Sequence, residues 1–252
     1  MIPIRLSWQR PVDGIEIVEL ASAAGRSSFA ARFPDAARIG ETRVGQKGKR
    51  RRDRDERSLV ARSKRMEAVP YSIEDLEDPF ALRLVNCNDD DSLVAFTSRF
   101  GIPVNGNIDE EPQAIPERMD VEALHSLKST LIEILSLNNF PNSVEKAAYA
   151  SQETRGIALH PSIEFLGNRN ALVMRPKHFS ELMMMEAIFA FEAGAVLTRC
   201  SHCDKAYLTG PLTKRRSHAV YCSDRCRVAA MRERNTKKAS KIIGEAQGNV
   251  GS

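Results

Sequence analysis

The sequence predicts an α+β fold: a mostly helical upstream domain with short hairpins, then a small C-terminal treble-clef zinc finger. Three observations carry this. Apolar residues recur at helical spacing over 117–138 and crowd the stretch 180–197. Short β-like runs meet at turn residues in 1–20 and again in 157–174. Four of the five cysteines fall in two close pairs near the C-terminus.

A chain of 252 residues with 42% apolar residues has enough material for one large domain or two modest ones. Mean hydropathy is -0.35, and no apolar run approaches the roughly 20 residues that span a bilayer. The opening MIPIRLSWQRPVDG has no apolar stretch behind a basic tip, so a cytoplasmic protein is expected. Four segments follow: residues 1–66, with a weak hairpin and a basic disordered linker over 45–66; the helical domain, 67–197; the finger, 198–241; and a disordered tail, 242–252.

In chain order, Ile2, Ile4, Leu6 and Trp8 alternate, then Ile15 and Ile17, with Pro11-Val12-Asp13-Gly14 between them; this predicts a hairpin of two short strands. Leu93, Phe96 and Phe100 keep an i, i+3, i+7 rhythm and Gly101 can stop the chain, which predicts a helix. Residues 102–116 are rich in breakers and read as a loop. Val121, Leu124, Leu127, Leu131, Ile134 and Leu135 give an amphipathic helix over 117–138, followed by a turn at Asn138–Pro141. Gly167-Asn168-Arg169-Asn170 joins two β-like runs. The Met-rich run 180–197 predicts a buried helix, capped by Ser180, that leads directly into the cysteines.

The cysteine spacing is Cys200-x2-Cys203, eighteen residues, Cys222-x3-Cys226. The first pair lets two sulfurs converge from a tight knuckle. The second puts two sulfurs on one face of a helical turn. Four thiolates form a closed tetrahedral set, so the expected cofactor is one structural Zn²⁺ with no open coordination position. Disulfides would need an oxidising compartment, and a redox C-x-x-C explains only one pair. Cys87 reads as a small buried side chain. Between the pairs, Ala206–Thr209 reads as a strand, Gly210-Pro211 as a turn, and Ser217–Tyr221 as the returning strand. Ser223 then caps a helix running to about Lys241.

The formal charge of +4 is a cancellation. Residues 47–65 carry ten bases and three acids, 74–122 thirteen acids and three bases, and 199–241 twelve bases and three acids. Within the last block, Arg227, Arg234, Lys238 and Lys241 share one helix face, and Lys214, Arg215 and Arg216 sit in the preceding loop. Such a stripe beside a basic loop is the footprint of phosphate contact, and DNA is the expected partner. The arm at 47–65 can add non-specific affinity, and the acidic stretch can mask the basic elements.

Thr198–Cys203, Tyr207, Lys214-Arg215-Arg216, Tyr221–Arg227, Ala229-Ala230 and Arg232 together resemble the CGNR-type zinc finger. Phe80–Asn86 with the helix to Gly101 is similar to the start of the N-terminal domain in such proteins. The resemblance implies a bacterial protein with a C-terminal finger after a helical domain, of a family described as DNA-binding transcriptional regulators. The family's Gly-Asn-Arg is replaced here by Arg227-Val228-Ala229.

The alternative function is a zinc-stabilised module that docks a protein and binds no nucleic acid. An enzyme is not expected: His125, His160, His178, His202 and His218 form no pair at ligand spacing, and no glycine-rich phosphate loop is present.

Overall fold

A computed structural model describes residues 3–19, 57–73, 75–103, 118–140, 143–153 and 155–248. In order these form β1 (Arg5–Pro11), β2 (Ile15–Glu19), β3 (Arg57–Ala61), β4 (Met66–Ser72), α1 (Phe80–Val85), α2 (Asp90–Phe100), β5 (Arg118–Asp120) and α3 (Val121–Ser136). A 3₁₀ turn at Leu137–Asn139, α4 (Ser143–Glu153), β6 (Leu159–Leu166), β7 (Arg169–Pro176), α5 (Phe179–Glu192), β8 (Val196–Arg199), β9 (Ala206–Thr209) and α6 (Asp224–Gly248) follow. The fold is α+β as expected, but it is not mostly helical: nine strands are present among the described residues, in four small antiparallel sheets.

The predicted N-terminal hairpin is corrected. β1 and β2 are strands, but they do not pair with each other: β1 pairs with β4 and β2 with β3. The two arms run side by side past a corner, where Val12 N–H donates to Arg65 C=O at 2.9 Å and Arg62 N–H to Gly14 C=O at 3.0 Å. Between Pro11↔Met66 and Ile15↔Ala61, three residues of one arm face four of the other. This is a bulge that bends the ribbon. The turn signal at Pro11–Gly14 was real, but it bends the chain instead of reversing it.

Residues 57–65 were expected to be disordered linker. Charge dominates that stretch, yet Ser58, Leu59, Val60 and Ala61 are wholly buried in β3. The rest of the proposed basic arm, 47–56, lies outside the described residues. The boundary drawn at 66 falls on the first residue of β4, and a single buried cluster runs from Ile4 to Leu208.

Phe179, at the start of α5, is the hub of this core. Its ring centroid lies 5.1 Å from Tyr71, 5.2 Å from Phe80, 6.2 Å from Phe96 and 6.5 Å from Trp8. Tyr71 Oη donates to Phe100 C=O at 2.9 Å and closes the end of α2 onto β4. α2 follows the predicted rhythm and opens on a capping box: Ser92 N–H donates to Asp89 Oδ1 at 2.8 Å, and Asp89 N–H to Ser92 Oγ at 3.2 Å. α3 starts at Val121, four residues later than expected, because Arg118–Asp120 joins β3 as an edge strand.

α5 stops at Glu192 instead of running to Leu197. Gly194 turns the chain with φ +72°, and Val196–Arg199 becomes β8. Its start also differs: His178, not Ser180, occupies the cap position. Asn138 Nδ2 donates to Phe191 C=O and Ala195 C=O, each at 2.9 Å, which satisfies carbonyls at the helix end. Asn139 takes the next step, exchanging hydrogen bonds with Leu197 at 2.8 and 3.2 Å. The Asn138-Asn139 turn thus fixes where β8 begins.

Candidate metal centre

β8 and β9 pair through Thr198↔Tyr207 and Arg199↔Ala206, and the knuckle sits at the tip of this hairpin. Cys200 N–H donates to Lys205 C=O at 3.0 Å and Asp204 N–H to Cys200 C=O at 2.9 Å, closing a tight loop with Asp204 at φ +58°. Ser201 N–H donates to Val220 C=O at 3.1 Å, which draws the second pair toward the first. Ser223 caps α6 as the sequence indicates: its Oγ accepts from Cys226 N–H at 3.3 Å.

The expected return strand, Ser217–Tyr221, does not form. β9 pairs with β8 on one edge, and at Ala206 its backbone is occupied by the Asn86 amide. The chain instead closes a short loop with a bridge at Gly210↔Arg215. Tyr207 Oη then donates to Ala219 C=O at 2.6 Å and holds the 217–221 segment against the strand.

The sulfurs of Cys200, Cys203, Cys222 and Cys226 all lie within 4.8 Å of one another. Cys203–Cys222 is 3.6 Å, Cys222–Cys226 3.5 Å and Cys203–Cys226 3.6 Å. A tetrahedron with 2.3 Å zinc–sulfur bonds has edges of about 3.8 Å. A disulfide needs about 2.05 Å, and all four cysteines are free thiols. The donor set therefore fits a metal ion of tetrahedral preference.

The electrostatics agree. Burial works against a charged Cys200, but N–H groups of Cys222, Cys203 and His202 aim at its sulfur and bring it down to about 6. Burial and the neighbouring sulfurs push Cys222 up to about 12. Cys203 also rises: the Lys205 N–H holds it down, but burial and the Cys200 sulfur outweigh that. Four thiols this close cannot all ionise without a cation among them. A dication held at their centre would supply that charge and displace the protons.

The basic residues expected to touch DNA divide by what they already hold. Lys214 pairs with Asp75 at 2.9 Å and Glu77 at 2.7 Å. Arg215 donates to Glu77 C=O at 2.8 Å and Cys222 C=O at 3.2 Å, with its guanidinium 5.8 Å from the Tyr207 ring centre. These two fasten the finger loop to the segment before α1. Leu76 N–H reinforces the join by donating to Leu212 C=O at 3.2 Å. Arg227 pairs with Asp224 at 3.0 Å, and Arg234 bonds Ala230 C=O and Tyr221 Oη at 3.2 and 3.3 Å. Arg216 is exposed, with no side-chain partner among the described residues. Lys238 and Lys241 fall on α6, their side chains outside the described residues.

Sequence reasoning missed Asp75 and Glu77 as anchors of the basic loop. The available signal was that Asp75, Glu77 and Asp78 belong to an acidic block and Lys214, Arg215 and Arg216 to a basic one. His202 lies beside the ligands, with its Nδ1 3.5 Å from Glu233 Oε1, and His218 is exposed. No helix of the described residues is long and apolar enough to cross a membrane. The chain matches no protein-family model, no curated protein and no solved structure.

Proposed function

We propose that this chain is a zinc-stabilised, DNA-binding regulatory protein, and not an enzyme, acting in the cytoplasm. The observation that carries the reading is the cage of four sulfurs, three edges of which measure 3.5–3.6 Å, at the start of a basic 25-residue helix. One Zn²⁺ held by Cys200, Cys203, Cys222 and Cys226 is closed to substrate, so it stabilises the finger and fixes the helix axis. The knuckle, loop and helix support a treble-clef arrangement, and the CGNR-type resemblance supports a role in transcription.

The test pairs metal analysis with a salt-titrated binding assay on the full chain. One equivalent of zinc is expected, lost in the Cys222→Ser/Cys226→Ser variant, together with DNA affinity that falls steeply with salt. Binding that ignores salt, or no binding to any duplex, overturns the DNA reading.

A second reading, docking of a protein partner, is favoured by one observation. Ile163 and Leu172 lie opposite each other in the β6–β7 hairpin, 75% and 48% exposed, with Phe165 beside them at 70%. A stable protein partner that stays bound after nuclease treatment, with no duplex retained, selects this reading.

A further inference from the structure

α6 carries two arginine sets with different surroundings. Arg227 and Arg234 are engaged by Asp224, Ala230 and Tyr221. Arg225 and Arg232 are exposed and have no side-chain partner among the described residues. At 100° per residue, Arg225, Val228, Arg232 and Asn235 fall within about 80° of one another. This stripe stands about 160° round the helix from Cys226 and Ala230, the residues facing the metal cage and the body. Val228 and Met231 are 40% and 50% exposed, and every residue from Met231 to Lys237 is exposed. The helix therefore leaves the finger with its outward face uncovered.

We infer that the Arg225–Val228–Arg232–Asn235 stripe is a base-reading edge that enters the major groove of duplex DNA. This deepens the DNA reading and rests on it. An α-helix about 10–12 Å across fits a groove about 12 Å wide. From residue 225 to 235 the axis rises about 15 Å, the length of four to five base pairs. The residue types match base edges: arginine grips guanine bidentately, asparagine grips adenine, and an apolar side chain meets the thymine methyl. Charge selects this occupant over an apolar one, because Arg225, Arg227, Arg232, Arg234 and Lys237 outnumber Asp224 and Glu233 on the described exposed part of the helix. Arg227 and Arg234 lie about 130° round the helix from the stripe, nearer the face turned to the body, where Asp224, Ala230 and Tyr221 hold them.

The experiment is selection from a random duplex library with the full chain carrying its metal, beside Arg232→Ala and Asn235→Ala. Both positions are exposed, so folding is untouched, and circular dichroism checks it. The wild type is expected to enrich one short sequence. Asn235→Ala should lose about ten- to a hundred-fold discrimination at one A·T position while its salt dependence stays unchanged. Arg232→Ala should relax one G·C position and lower the log-log salt slope by about one. If both variants enrich the wild-type sequence, or if duplex is held without preference, the inference is overturned and the DNA reading stands. If no duplex is held at all, both fall together.

Discussion

Asn86, just past α1, and Ala206, the first residue of β9, exchange two hydrogen bonds across 120 positions of sequence. Ala206 N–H donates to Asn86 Oδ1 at 2.7 Å and Asn86 Nδ2 donates to Ala206 C=O at 2.9 Å. The side-chain amide takes the place of a neighbouring strand on the free edge of β9, beside the knuckle. Asn86→Ala leaves a backbone donor and acceptor unpaired, so a loss of about 1–3 kcal/mol is expected. A lower urea midpoint at unchanged slope checks this, and a shift under about 0.5 kcal/mol removes Asn86 from the account.

Gly101 allows α2 to end against β1. A Cβ at that position would stand 2.6 Å from Gln9 C=O and 2.8 Å from Trp8 Cδ1, on a backbone with φ +90°. Gly101→Ala therefore meets both a clash and a strained backbone, with an expected loss of about 2 kcal/mol or more. Thermal unfolding measures it. An unchanged midpoint would mean that β1 does not hold its place against α2.

Glu186 is the buried acid of α5, and its Oε2 accepts Ala81 N–H at 2.8 Å at the start of α1, where Pro79 gives no side-chain cap. Burial raises its pKa from 4.5 to about 8, against the backbone donors, which lower it. The native state thus holds a proton that the unfolded chain releases. This contribution to stability is complete below about pH 4.5 and is lost as pH climbs to 8. Glu186→Gln keeps the acceptor and removes the proton, so its stability should vary less over pH 5–8 than that of the wild type. Parallel profiles would refute the assignment. Glu186→Leu, which removes the acceptor, should cost about 1–2 kcal/mol below about pH 4.5, and that cost should shrink as pH rises and the wild type loses stability.

Asp75 and Glu77 hold Lys214 in an exposed arrangement, worth at most about 1 kcal/mol to folding. The hydrogen bond to Lys214 is the main reason the Asp75 carboxyl sits below its usual range. An Asp75→Asn/Glu77→Gln variant should fold normally and release the ammonium. Its DNA affinity should rise several-fold and its salt slope by about one, because one more cation reaches phosphate. Equal binding by both proteins would show that Lys214 stays away from the ligand.

The four-cysteine cage was readable because its residues are local: two short spacings fix the two turns that bring the sulfurs together. α2 and the β6–β7 hairpin were readable for a similar reason, since Leu93, Phe96 and Phe100 or a Gly-Asn turn act over a few residues. Strand partners were not. Nothing within Ile15–Glu19 states that its partner lies about forty residues onward, and the charged flank of 57–61 hid four buried residues. α5 was overextended because an apolar run has the same composition in a buried helix as in a buried strand. The charges gave the sign of the surface but not the internal partners of Lys214 and Arg215.

The burial of β9 joins the cysteines to the rest of the molecule. Tyr207 and Leu208 belong to the same cluster as Trp8 and Leu93, and Cys200 itself lies within it. An ion that closes the cage is therefore coupled to the folding of the whole core. A ligand at a hundred times its dissociation constant adds about 2.7 kcal/mol to the folded state, a large share of the 5–15 kcal/mol that domains usually possess. A cell short of that metal would then lose more than a working finger: the chain would spend more time open to proteases, and its lifetime would follow the metal supply.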